Sequence, residues 1–102
     1  MISVNDTRLY YERAGTGPSL VLVHGGGGDQ RYWDGQFPTL AQQHDVIRYD
    51  LRGYGRSDNP VEGRPYRHED DLYRLLTALG VSKAHVAGYS LGCQIVVDAY
   101  TM

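Results

Sequence analysis

The stretch Gly88-Tyr89-Ser90-Leu91-Gly92 joins two apolar segments of different character. The short apolar run 84–87 before it is typical of a buried strand, and the run from 91 onward favours a helix. A serine at such a junction must turn sharply to present its hydroxyl above the sheet edge, which strains its backbone. Glycines two positions before and after it remove side chains that would collide across the turn. The stretch predicts that Ser90 is a nucleophile; an ordinary glycine-rich turn is the alternative.

A second glycine cluster, His24-Gly25-Gly26-Gly27-Gly28, follows the apolar run 19–23, which is typical of a strand buried on both faces of a parallel sheet. Acyl transfer develops an oxyanion, which needs preorganised backbone N–H donors. The predicted donors are the N–H groups of Gly26 and Leu91. A flexible loop is one alternative. A phosphate-binding loop is disfavoured because the chain has no Gly-x-x-x-x-Gly-Lys-[Ser/Thr] run, and Gly53-Tyr54-Gly55 lacks a third glycine.

The remaining chain alternates strand and helix patterns after two short N-terminal strands joined at Asn5-Asp6. This order predicts an α/β fold with a mostly parallel sheet of about five strands, an antiparallel N-terminal hairpin, and helices on both faces. The predicted strands are 2–5, 8–13, 19–23, 45–50 and 84–87, and the predicted helices are 32–42, 69–79 and the segment from 91 onward.

Composition excludes several functional classes. The chain has 102 residues, which suits one small domain, and ten basic against twelve acidic residues give a net charge of −2. That balance offers no electrostatic case for binding nucleic acid or an anionic membrane. The single cysteine, Cys93, excludes an internal disulfide, and the sequence shows no secretory signal or membrane-spanning run. We therefore expect a cytoplasmic protein, with no cofactor, no metal and no predicted oligomeric state.

Three motifs together carry a family resemblance: the segments 22–27, 49–58 and 88–92, each at a strand end. In this order they resemble the N-terminal half of the α/β-hydrolase fold enzymes, in the group of enol-lactonases, esterases and haloperoxidases. The resemblance implies hydrolysis of ester or lactone bonds in a small-molecule substrate by Ser90. A serine at this position disfavours the dehalogenase and epoxide hydrolase branches, which use aspartate.

The resemblance also implies bracing roles outside the catalytic set. His24 is similar to the family's loop-fixing histidine, and the loop 50–58 is expected to be structural. Its polar side chains are therefore interpreted as ion-pairing or turn-bracing groups: Arg52, Arg56, Ser57 and Asp58.

A serine nucleophile needs a general base, and in this family the chain order is Ser, then Asp or Glu, then His. After Ser90 the chain offers only Asp98, more than two helical turns away, and no histidine. We therefore interpret residues 1–102 as the N-terminal portion of a truncated hydrolase domain, ending in the helix after Ser90 and having an unpaired apolar sheet edge. Such a fragment is expected to have little activity alone. The alternative is a non-catalytic small binding domain, or an inert truncated product, of the same fold.

Overall fold

The apolar run Ser19–Val23 forms one of the two central strands of the main sheet. The computed structural model describes residues 1–100. Its elements are β1 (Ile2–Val4), β2 (Thr7–Leu9), β3 (Tyr11–Ala14), β4 (Ser19–Val23), a 3₁₀ turn (Gln30–Trp33), α1 (Phe37–Leu40), β5 (Asp45–Tyr49), α2 (His68–Ala78), β6 (His85–Gly88) and α3 (Leu91–Tyr100). Four strands form the main sheet in the order β3-β5-β4-β6, and β1 and β2 form a separate antiparallel pair.

Parallel pairing holds the centre of the main sheet together, as the apolar run of β4 predicts. β4 pairs in parallel with β5 on one side and with β6 on the other, and Val21 lies opposite both Ile47 and Val86. Val21 and Ile47 are fully buried. Burying a side chain of this size contributes about 1.5–3 kcal/mol to folding. Within residues 1–100, β6 pairs with no strand other than β4.

The N-terminal hairpin differs from the prediction, because the predicted strand 8–13 divides at Tyr10. Asn5 and Asp6 have φ values of +50° and +62°, which suit a two-residue hairpin turn between β1 and β2. The Tyr10 N–H then donates to the Ser57 hydroxyl at 2.9 Å, and its carbonyl accepts from the Asp50 N–H at 2.9 Å. These bonds redirect the chain into the main sheet, where β3 runs antiparallel to β5. The described residues therefore contain six strands, one more than predicted.

The predicted helix 32–42 is also divided, into the 3₁₀ turn and the four-residue helix α1. Pro38 lies in the first turn of α1, where its missing N–H costs nothing. A continuous helix would place this proline in its interior and lose a hydrogen bond, so a new helix begins at Phe37.

The second predicted helix, 69–79, is confirmed to within one residue as α2. Leu72 and Leu75 are buried on its apolar face, and Gly80, with φ +75°, follows its end. α2 packs against α3 and against β1. Within residues 1–100, no helix is long and apolar enough to cross a membrane.

A buried ion pair anchors α2 to the loop that follows β5. The Arg52 guanidinium donates to both carboxylate oxygens of Asp71, at 3.0 and 2.7 Å, and the two side chains are almost completely buried. The hairpin joins this pair through Asn5, whose carbonyl accepts from Arg52 at 3.0 Å and whose amide donates to Asp71 at 2.9 Å. The bracing role predicted for Arg52 is confirmed.

Candidate active site

Adjacent strands bring the two glycine motifs together at one edge of the main sheet. Val23, the last residue of β4, lies opposite Gly88, the last residue of β6. Because the two strands are parallel, the loop 24–28 and the turn 89–92 leave the sheet side by side. The Tyr89 N–H donates to the Val23 carbonyl at 3.1 Å, which continues the pairing to the start of the turn.

Ser90 has the strained backbone that its position between strand and helix predicts. Its φ is +56°, in the left-handed region, where a non-glycine residue costs about 1–3 kcal/mol. α3 begins at the next residue, and the Cys93 N–H donates to the Ser90 carbonyl at 2.9 Å. The Ser90 side chain is exposed, and its hydroxyl forms no hydrogen bond with any group in residues 1–100. The contacts around the turn therefore hold an accessible hydroxyl in place in spite of the strain.

The glycines around Ser90 are required by close backbone contacts. A Cβ on Gly88 would collide with the Gly92 carbonyl oxygen, and a Cβ on Gly92 would collide with the Val23 carbonyl oxygen. A Cβ on Gly25 would lie 3.0 Å from Tyr89 Cδ1 and 3.1 Å from Ser90 Cβ, which is tighter than most real contacts. The glycine loop after β4 therefore packs directly against the serine turn.

The two residues that carry the predicted oxyanion donors are neighbours in the fold. A Cβ on Gly26 would lie 3.7 Å from Leu91 Cδ2 and 4.0 Å from Leu91 Cβ. Among residues 1–100, neither the Gly26 N–H nor the Leu91 N–H donates to an acceptor. Leu91 is also the first residue of α3, where the helix dipole favours negative charge. Backbone N–H groups without an acceptor in residues 1–100 are of the kind that can stabilise an oxyanion.

His24 fixes the glycine loop, in agreement with the role that the family resemblance implies. Its ring is fully buried, and Nε2 accepts from the Leu51 N–H at 3.0 Å. Because Nε2 accepts, the proton lies on Nδ1, which donates to the Gly25 carbonyl at 2.8 Å. Both ring nitrogens are therefore occupied in positioning backbone, and neither is available to Ser90.

Asp50 braces the site, although the sequence analysis did not single it out. Its buried carboxylate accepts from the Gln30 N–H at 2.7 Å and from the Arg56 N–H at 2.9 Å. Its carbonyl accepts from the Ser57 hydroxyl at 2.5 Å. Asp50 thus joins the segment after the glycine loop to the loop after β5. An acidic residue directly after an apolar strand was the signal that could have identified it.

Tyr54 is a second residue whose position the sequence analysis missed. Its ring lies 5.3 Å from the His24 ring in an edge-to-face arrangement. Its hydroxyl would lie 3.7 Å from a Cβ on Gly26, and it has no hydrogen-bond partner within residues 1–100. An aromatic residue between two glycines after a strand end was the available signal. Its hydroxyl therefore lies beside the two candidate oxyanion donors.

The remaining candidate partners do not reach Ser90. Within residues 1–100, no hydrogen bond joins Ser90 to a histidine. His44 lies near a carbonyl of α1, His68 is the first residue of α2, and His85 is exposed on β6. Burial lowers the pKa of His68, so its neutral form is favoured. Asp98 accepts a hydrogen bond from a glutamine one turn earlier in α3.

Comparison with known proteins identifies the class to which this fold and site belong. Residues 18–100 match the alpha/beta hydrolase fold family. The uncharacterized hydrolase YraK of Bacillus subtilis (strain 168) is 39% identical over 100 residues, covering 95% of this chain and 37% of YraK. An alpha/beta hydrolase fold protein from Burkholderia ambifaria has a TM-score of 0.85 at 34% identity, covering 93% of this chain and 36% of that protein. The enol-lactonase from Burkholderia xenovorans LB400 has a TM-score of 0.80 at 33% identity, covering 87% of this chain and 36% of that enzyme.

The chain belongs to the alpha/beta hydrolase fold family. The family and the α/β fold predicted from the three motifs are both confirmed, and the similar proteins named as enzymes are hydrolases. The chain spans about a third of the length of the curated relatives it matches.

Proposed function

We propose that the protein containing this chain hydrolyses ester or lactone bonds of small molecules, with Ser90 as nucleophile and the N–H groups of Gly26 and Leu91 as oxyanion donors. The observation that carries the proposal is the strained, accessible Ser90 hydroxyl beside two N–H groups without acceptors in residues 1–100. An enol-lactonase among the similar structures supports the substrate class.

The proposed reaction is acyl transfer in two steps. Ser90 Oγ attacks the substrate carbonyl carbon while its proton passes to a base, and the carbonyl electrons move onto the oxygen facing Gly26 and Leu91. The tetrahedral intermediate collapses by expelling the alcohol oxygen, which takes up a proton, and leaves an acyl group on Ser90. Water then attacks the acyl carbon, and the acid is released. We expect the base to be a histidine outside residues 1–100, because His24 is occupied within the glycine loop.

The chemistry of Ser90 favours carbonyl substrates over epoxides. Attack of a serine hydroxyl on an epoxide would leave a stable ether on the protein, whereas its attack on an ester or lactone carbonyl leaves an acyl ester that water can hydrolyse. The serine turn of this chain presents a hydroxyl where the epoxide hydrolase branch has a carboxylate. In residues 1–100, the N–H groups of the proposed oxyanion donors have no acceptors.

A fluorophosphonate probe tests the proposal on the full-length protein. Its phosphorus reacts with an activated serine oxygen and releases fluoride, so peptide mass spectrometry should locate the label on Ser90. Ser90→Ala should abolish labelling and lower hydrolysis of p-nitrophenyl acetate by about 1,000-fold or more. The exposed Ser82 provides a matched control, and Ser82→Ala should label normally. Labelling that is absent, or that survives Ser90→Ala, would contradict the proposal.

A non-catalytic binding domain is the second candidate, and the absence of a histidine bonded to Ser90 within residues 1–100 favours it. For this candidate we expect a monomer that unfolds cooperatively on heating and is not labelled by the probe. A broad melt with aggregation would instead indicate an inert fragment.

A further inference from the structure

Two half-exposed tyrosines stack on each other beside Ser90. The rings of Tyr32 and Tyr89 are 4.4 Å apart between centroids, with an angle of 18° between their planes. Their exposed fractions are 49% and 50%. Trp33 packs edge-on against Tyr32 at 5.1 Å and 90°, which supports this ring from a second direction. We call Tyr32 and Tyr89 the tyrosine pair.

The tyrosine pair is continuous with the candidate catalytic site. Tyr89 directly precedes Ser90, and Tyr32 lies in the 3₁₀ turn that follows the glycine loop. Tyr89 Cδ1 and Ser90 Cβ both lie within 3.1 Å of one point, the position of a Cβ on Gly25. A substrate bound covalently to Ser90 would therefore have an aromatic surface within a few bonds of its scissile carbon.

The exposure of the pair fits an aromatic ligand. Two stacked rings are fixed in orientation, and about half of each side chain remains exposed although water solvates an aromatic face poorly. Neither tyrosine hydroxyl is hydrogen-bonded to a group in residues 1–100, so polar contacts do not account for the arrangement. A planar aromatic ring, which can stack on an exposed tyrosine ring, is thus the best complement.

We propose that the tyrosine pair binds an aryl group of the substrate, so that the preferred esters or lactones have a phenyl-sized ring within about two bonds of the scissile ester group. This inference rests on the proposed function for the identity of the bond cleaved. The tyrosine pair determines specificity by stacking, and Ser90 and the two N–H donors carry the chemistry.

The test separates binding from catalysis by using the Ser90→Ala protein, which cannot be acylated. The ¹⁹F signal of 4-fluorobenzyl acetate reports binding, and benzyl acetate and cyclohexylmethyl acetate compete for the site with rings of similar size. An aromatic ring should bind about 3- to 10-fold more tightly than the saturated ring. Tyr32→Leu and Tyr89→Leu, each in the Ser90→Ala background, should reduce that ratio to about 1 because leucine keeps apolar bulk without a π face.

Tyr73→Leu is the matched control, since Tyr73 is an exposed tyrosine on α2, and it should leave the ratio unchanged. No measurable binding, equal binding of both esters, or an aryl preference that survives both tyrosine variants would overturn the inference. The last two outcomes would show that the pair does not select the ligand, as expected if another segment of the full-length protein covers it. If the aryl preference is found but the wild-type protein neither hydrolyses p-nitrophenyl acetate nor takes the fluorophosphonate label on Ser90, the proposed function fails and the binding site stands.

Discussion

The polar groups of the buried ion pair are paired and inaccessible, whereas the hydroxyl of the serine turn is unpaired within residues 1–100 and accessible. Arg52 and Asp71 are almost completely buried, and the Arg52 donors bind both carboxylate oxygens and a backbone carbonyl. Ser90 is exposed at φ +56°, and its hydroxyl has no partner within residues 1–100, like the N–H groups of Gly26 and Leu91. Each charge of a buried pair depends on its partner to offset the cost of desolvation, whereas an unpaired, accessible group is free to contact a ligand. We therefore predict that substitutions in the Arg52–Asp71 pair lower the free energy of unfolding, whereas substitutions in the serine turn lower activity.

Removing one partner of the buried ion pair should have the largest effect on stability. Arg52→Ala leaves the Asp71 carboxylate buried without its cation, which should lower the free energy of unfolding by about 3–5 kcal/mol in urea denaturation. The double variant Arg52→Met/Asp71→Leu should lose far less, because no unpaired charge is left. Arg64→Ala, in the exposed segment before α2, is the control. A loss below 1 kcal/mol for Arg52→Ala would show that the pair does not brace the fold.

Gly92, two positions after Ser90, should affect both stability and activity. A Cβ on Gly92 would collide with the Val23 carbonyl, so Gly92→Ala should force α3 away from β4 and lower the free energy of unfolding by about 2–3 kcal/mol. It should also displace Ser90 and reduce fluorophosphonate labelling. At Gly28 a Cβ would lie an ordinary 3.8 Å from the nearest atom, so Gly28→Ala should unfold at nearly the wild-type urea concentration. Equal midpoints for the two variants would contradict the close-packing argument.

Much of this arrangement was predictable because the strongest signals are local. The apolar run of β4, the leucine stripe of α2 and the Gly-x-Ser-x-Gly turn each reflect one residue's immediate neighbours. The order of the three motifs was enough to predict the family. The positive φ of Ser90 follows from the same local requirement for a sharp turn.

The features that were missed depend on contacts distant in sequence. Tyr10 divides a predicted strand because its N–H meets Ser57, 47 positions away. Asp50 acquires its place through Gln30, 20 positions earlier in the chain, and Tyr54 through His24, 30 positions earlier. The stacking of Tyr32 on Tyr89 depends on the neighbouring positions of β4 and β6, which no local pattern specifies.

Releasing the backbone strain at Ser90 should raise stability while abolishing activity. Ser90→Gly removes the Cβ that makes φ +56° costly, and the gain should exceed glycine's added freedom in the unfolded chain, raising the free energy of unfolding by about 1 kcal/mol. Ser90→Ala keeps the Cβ and is the matched control, because it loses the hydroxyl without releasing strain. Both variants should lose labelling. Thermal unfolding that shows Ser90→Gly no more stable than Ser90→Ala would mean that the turn stores no strain.

The smallest effect should come from an exposed ion pair, which provides a surface reference for the buried one. Hydrogen bonding to Arg31 lowers the pKa of Asp29 to about 2. The folded state therefore binds fewer protons than the unfolded state below about pH 4, and the stability contributed by Asp29 is present above that pH and lost as the pH falls towards 2. Because the Arg31 side chain is 74% exposed, the contribution should stay below about 1 kcal/mol. Asp29→Asn keeps an oxygen to cap the 3₁₀ turn but removes the charge, so urea unfolding at pH 6, pH 4 and pH 2.5 should show its deficit relative to wild type shrinking as the pH falls. A deficit that stays constant over this range would assign the role of Asp29 to capping alone.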